Sequence, residues 1–211
     1  MAAYSLCLRL LCFALLMGYA ASAAPIRGHG LQHRRTVSPR PFVSACRKTS
    51  DPQLCFHVLM VSSAPPAAPL NRQIAAVSSF ALHLTSSSYL LARQLARMPP
   101  PRRSPRTYRG ALQDCSDLMS NSMDQLKLSI SRLSALNTAR GPPYMKRSQV
   151  MDAQVSLSAS FTYQDICSDE LRQRGMPTAA TSRLLQQVGD TSRAVRVALD
   201  LADTLHQSIT P

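Results

Sequence analysis

Fifteen prolines punctuate this chain of 211 residues, and they come in clusters. "APPAAP" occupies 64–69, "MPPPRRSPR" 98–106 and "GPP" 141–143, while Pro177 stands in "RGMPT". Proline lacks an amide hydrogen and clashes with the preceding helical turn, so each cluster ends a helix or bars one from continuing. Between the clusters lie four proline-free segments of bundle length, roughly 70–97, 107–138, 148–173 and 180–208. The chain has only 7 glycines and no tryptophan, and Ala, Leu, Ser, Arg and Gln dominate, which favours helix. In the second segment Leu112, Cys115, Met119, Ser122, Leu126, Ile130 and Leu133 step by three or four residues along one face. Leu184, Val188, Val195, Leu199, Ala202 and Leu205 repeat the pattern in the fourth. Short connections make sequential helices antiparallel neighbours. The expected fold is therefore all-α: an up-down-up-down four-helix bundle over 70–209, preceded by a small helical hairpin over 41–69.

The third segment differs. Val150, Ala153, Leu157 and Phe161 share one face with Cys167 nearby, while Met151, Val155, Ala159 and Ile166 form a second apolar face. Gln154, Ser158, Thr162 and Asp165 make a narrow polar stripe between them. A helix that is apolar on two sides is either covered by its neighbours or offers one side to a partner. Cover by neighbouring helices is the simpler expectation.

The first residues bear on compartment. Arg9 is the only charge before residue 27, "LLCFALLMGYA" runs over 10–20, and Ala21-Ser22-Ala23 follows. This is the pattern of a secretory signal peptide over 1–23, cleaved after Ala23. No other stretch approaches 18 consecutive apolar residues, so no membrane span is expected. Cys7 and Cys12 leave with the signal, and Cys46, Cys55, Cys115 and Cys167 remain. In an oxidising compartment four cysteines read as two disulfides, with three connectivities open. The Asp51-Pro52 turn favours a local Cys46–Cys55 bridge. Cys115 near the start of the second bundle helix and Cys167 late in the third fall at one end of an antiparallel pair. The spacing lacks C-x-x-C, and the 5 histidines are scattered, so no metal is expected.

Charge is unevenly spread. Residues 24–113 hold 13 Lys or Arg and one acid, Asp51; residues 114–211 hold 10 basic and 10 acidic residues. Residues 24–40 read as a basic flexible arm ahead of the 41–211 domain. In an exported protein such cations suit acidic polysaccharides or membrane surfaces rather than nucleic acid. No G-x-S-x-G, H-E-x-x-H or phosphate-cradling glycine loop is present, and nothing places His57, His83 or His206 beside a nucleophile. Asp114, Asp117 and Asp124 lie near one side of the second bundle helix, where a solvated face is the expected role. With Asn121 they also make a contact surface.

Four stretches together resemble a known family. "ACRKTSDPQLC", "ALQDCSDLMSNSMDQL", "SLSASFTYQDIC" and "AVRVALDLADTL" are similar to the four blocks of the plant invertase and pectin methylesterase inhibitor family, over about residues 41–208. Met119 stands where that family usually has tyrosine, Ser160-Phe161 replaces Ala-Leu, and the Pro-Lys-Phe tripeptide of the invertase-directed branch is missing. The resemblance implies a four-helix bundle with an N-terminal hairpin and the bridges Cys46–Cys55 and Cys115–Cys167. It implies a non-enzymatic inhibitor without cofactor, secreted to the apoplast and cell wall, that covers the pectin-binding cleft of pectin methylesterase in a stoichiometric complex. The contacts it implies are Asp117, Asn121 and Asp124 on the second bundle helix, and Gln154, Ser158, Thr162 and Asp165 on the third. Thr162 matches the threonine of the family's third block. Acid invertase is the alternative target, and a cationic defence protein acting on microbial membranes is the alternative from another class. Electrostatic association with acidic pectin is a further expectation from the charge.

Overall fold

Asp51 caps a helix. Its side chain accepts from the Leu54 amide at 3.0 Å, and Pro52 occupies the first helical position, where no amide bond is lost. The structure is a computed structural model and describes residues 44–62, 68–100, 107–137, 142–174 and 178–209. They form α1 (Pro52–Val61), α2 (Leu70–Arg97), α3 (Tyr108–Ala135), α4 (Pro143–Gln173) and α5 (Ala179–Ser208). The expected signal peptide, the basic arm and most of the Pro-Arg loop lie outside the described residues.

Three of the four long helices begin and end within a few residues of the expected positions. α4 begins at Pro143 instead of about 148, because the first turn of a helix has no intrahelical use for its amide hydrogens. Pro142 caps it in extended conformation, so the "GPP" cluster starts this helix instead of merely ending the one before. At the head of α5 the Thr178 side chain accepts from the Thr181 amide and the Thr181 side chain accepts from the Thr178 amide, both at 3.1 Å. At the tail of α3, buried Asn71 of α2 donates to the Leu133 carbonyl and to Asn137 Oδ1, both at 3.0 Å, which satisfies groups the helix end leaves over.

α2 packs on α3 and α5, α4 packs on the same two, and α1 rests against α2 and α5. Cys115 with Cys167, Ser122 with Ser160 and Arg132 with Asp152 pair α3 to α4 in opposite directions. This is the up-down-up-down bundle. By length and composition alone α2 would pass for a membrane span, although it holds no run of 18 consecutive apolar residues; its Ile74, Val77, Ala81, Ala92 and Leu95 are buried in the bundle.

The core has two apolar ends. Ile74, Val77, Leu126, Leu133, Leu157, Val195 and Leu201 pack with Cys55, Val58 and Leu59 of α1. Leu95, Tyr108, Leu112, Met119, Leu171, Leu184 and Val188 pack around the Cys115–Cys167 bridge. Between them each of the four long helices turns polar: Thr85 and Ser88 in α2, Ser122 in α3, Ser160 and Gln164 in α4, Thr191 in α5, all buried. Thr85, Ser88 and Thr191 donate to carbonyls four residues back. The Ser122 and Ser160 hydroxyls lie 2.8 Å apart, and Gln164 Nε2 donates to Ser122 at 3.0 Å.

The two bridges are Cys46–Cys55, with Cα atoms 5.5 Å apart, and Cys115–Cys167, at 4.7 Å. Cys46 lies in a helical turn over 44–46, and the Thr49 hydroxyl donates to its carbonyl at 2.8 Å. The hairpin is tied to α5 by the Ser50 amide, which donates to Asp200 at 2.6 Å, and by Arg193, 3.5 Å from Asp51.

Candidate functional site

α4 was expected to be covered on both apolar sides. Only one side is covered. Val150, Ala153, Leu157 and Cys167 are buried and Phe161 half-buried, whereas Val155 is 68% exposed, Met151 49% and Ile166 41%. Tyr144, at 72%, extends this stripe toward the start of the helix. The reason is topological. A helix in a square four-helix bundle has two neighbours, so about half of its circumference faces outward whatever residues stand there.

Thr162 and Ser158 are exposed on the same outward face. The Thr162 hydroxyl donates to the Ser158 carbonyl at 3.0 Å, which occupies its proton and leaves its oxygen able to accept from a partner. On α3, Asp117, Asn121 and Asp124 are also exposed, and Leu128 is 41% exposed beside them. The Ser122–Ser160 contact sets the level of the two antiparallel helices: Asn121 stands at about the height of Thr162 and Asp124 at that of Ser158. Asp124 is 3.0 Å from Lys127, one turn on.

The other two polar residues of α4, one or two turns from Ser158 along the same side, reach α5. Gln154 is half-buried and donates to Asp203 of α5 at 2.7 Å. Asp165 lines a recess with Arg193 and Arg196 of α5. The seven sequence-derived contact residues thus divide. Thr162 and Ser158 on α4 and Asp117, Asn121 and Asp124 on α3 are exposed, while Gln154 bonds α5 and exposed Asp165 lines a recess shared with α5. Tyr144, Leu128 and the apolar stripe belong to the outer face as well. The two-sided pattern of α4 pointed to the stripe; Tyr144 keeps its spacing, seven residues before Met151 and eleven before Val155.

Asp117 and Asp124 are exposed carboxylates. Elsewhere, the hydrogen bond from Arg193 to Asp190 holds its guanidinium above the ordinary range. His57 and His83 are exposed, and His206 accepts from Arg147 at 2.9 Å. Among the described residues no three metal-ligating side chains cluster. What the outward sides of α3 and α4 offer is exposed apolar residues along α4 and exposed polar and acidic residues on both helices.

The family model described as plant invertase/pectin methylesterase inhibitor matches residues 42–201, most of the chain. The chain belongs to this family. Pectinesterase inhibitor 3 of Arabidopsis thaliana is 29% identical over 126 residues, a match that spans 60% of this chain and 60% of that protein. The fold is similar to the crystal structure of a mutant form of a pectin methylesterase inhibitor from Arabidopsis, with a TM-score of 0.57 and 13% identity over 75% of this chain and 92% of that one. A second crystal structure of a pectin methylesterase inhibitor, from Arabidopsis thaliana, gives 0.52 and 14% over 78% and 95%. At such identities the likeness is one of fold.

Proposed function

We propose that this protein is a secreted inhibitor of pectin methylesterase, acting in the plant cell wall by laying the outer face of α3 and α4 over the enzyme's substrate cleft. The observation that carries the reading is the face itself. Met151, Val155 and Ile166 are uncovered along α4 together with Thr162 and Ser158, and Asn121, Asp117 and Asp124 are uncovered on α3. Uncovered apolar area of this kind gains about 25 cal/mol per Å² when a partner excludes water from it. A cleft shaped for a hydroxyl-rich, acidic chain presents donors, and the carboxylates and hydroxyls of this face are acceptors for them. Family membership and the inhibitor name of the curated relative support the same reading. The bundle acts by covering, without catalysis or cofactor. Gln154 and Asp165 then sit at the margin of the contact, and their polar groups add to its rim.

Acid invertase is the second reading, because the matching family is described by both enzymes. One experiment separates the two. The protein is titrated against a purified pectin methylesterase and a purified acid invertase, at two pH values and two salt concentrations. Stoichiometric loss of esterase activity with invertase untouched is the expected result. Loss of invertase activity alone transfers the proposal to the second target, and loss of neither refutes it.

A further inference from the structure

Between α4 and α5, beyond the edge of the α3/α4 surface, Phe161, Asp165, Ser168, Gly189, Ser192 and Arg196 line an open recess of about 190 Å³. Helix packing does not account for Gly189. A mid-helix glycine costs about 1 kcal/mol relative to alanine, and a Cβ built here meets nothing within 4 Å. No close approach demands glycine, so its effect is to keep the recess open.

The charges around the recess are unequally matched. Arg172 is 3.5 Å from Asp169, and Arg193 is 2.7 Å from Asp190 and 3.5 Å from Asp51. Arg196 has no ion pair among the described residues. Its guanidinium lies over the Phe161 ring, 4.9 Å from the ring centre, and the residue is exposed. Asp165 likewise has no ion pair among the described residues. Ser192 donates to the Val188 carbonyl at 3.1 Å, so toward a ligand it is an acceptor, while the Ser168 hydroxyl makes no hydrogen bond among the described residues.

We infer that this recess is a subsite for a single sugar ring that carries a carboxylate, a uronic-acid residue. Arg196, exposed and without an ion pair among the described residues, takes the carboxylate. Asp165, an acceptor only, takes protons from ring hydroxyls, as does Ser192, and Ser168 donates or accepts. Phe161 offers apolar area to the C–H groups of the ring. The volume is below the range of about 300–1,000 Å³ typical of pockets for drug-sized ligands and suits one pyranose. A bare anion would satisfy Arg196 and leave Asp165 unused; a neutral sugar would do the reverse. The inference does not depend on which enzyme the protein inhibits.

The test is a titration of the isotope-labelled protein, followed by amide resonances, with D-galacturonic acid, D-galactose and sodium acetate as three separate probes. Saturable shifts at Gly189, Ser192 and Arg196 are expected with galacturonic acid. A dissociation constant of about 1–10 mM is what so small and open a site reaches. Galactose and acetate are expected to bind about tenfold or more weakly, the loss of one charge-assisted contact or of the hydroxyl contacts. Arg196→Met brings galacturonic acid down to the level of galactose, and Gly189→Leu, which fills the recess, weakens both. Equal binding of galactose or of acetate overturns the assignment, as does wild-type affinity in Arg196→Met. No saturable shift at these positions overturns it too. Should Gly189→Leu fail to fold, Arg196→Met decides alone, since Arg196 is exposed.

Discussion

Thr162 decides whether the outer face of α4 is a docking surface. It is exposed, and its one described hydrogen bond is to its own helix. Thr162→Arg is therefore expected to change stability by no more than about 0.5 kcal/mol, as surface substitutions do. Placed at the centre of the face, the long cation is expected to weaken esterase inhibition by about 100-fold or more, the scale of a hot-spot residue. Circular dichroism and an inhibition titration check both halves; a folded variant with full inhibition removes Thr162 from the site. Gln164 is the converse case. It is fully buried, and its Nε2 donates to Ser122 and lies 3.3 Å from Ser160, but its Oε1 has no partner among the described residues. An unsatisfied buried acceptor costs about 1–3 kcal/mol, close to what the two amide hydrogen bonds return. Gln164→Met keeps the volume and deletes both terms, leaving Ser122 and Ser160 bonded to each other. Its expected effect is within about 1 kcal/mol of zero, against about 2–5 kcal/mol lost in Leu157→Ala at the neighbouring apolar layer. Denaturant melts of the two variants check this, and equal losses would mean that the polar waist is integral to the packing.

At the scale of elements the two disulfides do different work. Cys46–Cys55 closes a separation of 9 residues within the hairpin, and Cys115–Cys167 closes 52 across α3 and α4. In the chain-entropy account the shorter loop contributes about 3 kcal/mol and the longer about 4. Replacing Cys115 and Cys167 together by alanine is therefore expected to lower the melting temperature more than the same change at Cys46 and Cys55. The hairpin has other anchors in Asp200 and Arg193. Calorimetry on the two double variants checks the order, and a larger loss from the hairpin pair would reverse it. The helices themselves were legible in the sequence because proline acts locally: the breaks are where the clusters stand. The start of α4 was misplaced for the same local reason, since the rule that bars proline from a helix interior does not hold in its first turn. The docking face was half legible. Periodicity showed that α4 has two apolar sides. It did not show which one the bundle covers, because that depends on where α3 and α5 lie. Nor did it show that Gln154 and Asp165 turn toward α5. Neighbours on one helix wheel separate once a second helix is placed against one of them.

For the whole molecule the governing quantity is the separation of charge along the chain. From Asp51 to Asp114 there is no acidic residue between, and residues 24–113 carry 13 Lys or Arg. Part of this charge is on the folded domain. Arg93 and Arg97, one turn apart at the end of α2, are exposed with Leu90 and Met98 beside them, and neither has an ion pair among the described residues. Arg93 lies 5.3 Å from the centre of the Tyr89 ring, which fixes its stem without neutralising it. The rest lies in the arm, with Arg27, Arg34, Arg35 and Arg40, and in the Pro-Arg loop, with Arg102, Arg103 and Arg106. The sequence holds too few acids in this half to balance these cations, which suits an external polyanion, and de-esterified pectin is the polyanion that the proposed enzyme partner produces. Retention on a polygalacturonate column is therefore expected near neutral pH. It should fall steeply with salt, because the screening length shrinks from about 10 Å at 0.1 M to about 3 Å at 1 M. Deleting 24–40 and neutralising Arg102, Arg103 and Arg106 removes seven of the 13 cations and should move elution to clearly lower salt. Inhibition measured on a short soluble substrate should stay unchanged, since none of these residues belongs to the α3/α4 face. Unaltered elution would place the attraction on the folded domain, in the Arg93–Arg97 pair, and Arg93→Gln with Arg97→Gln would then be the change that releases the protein.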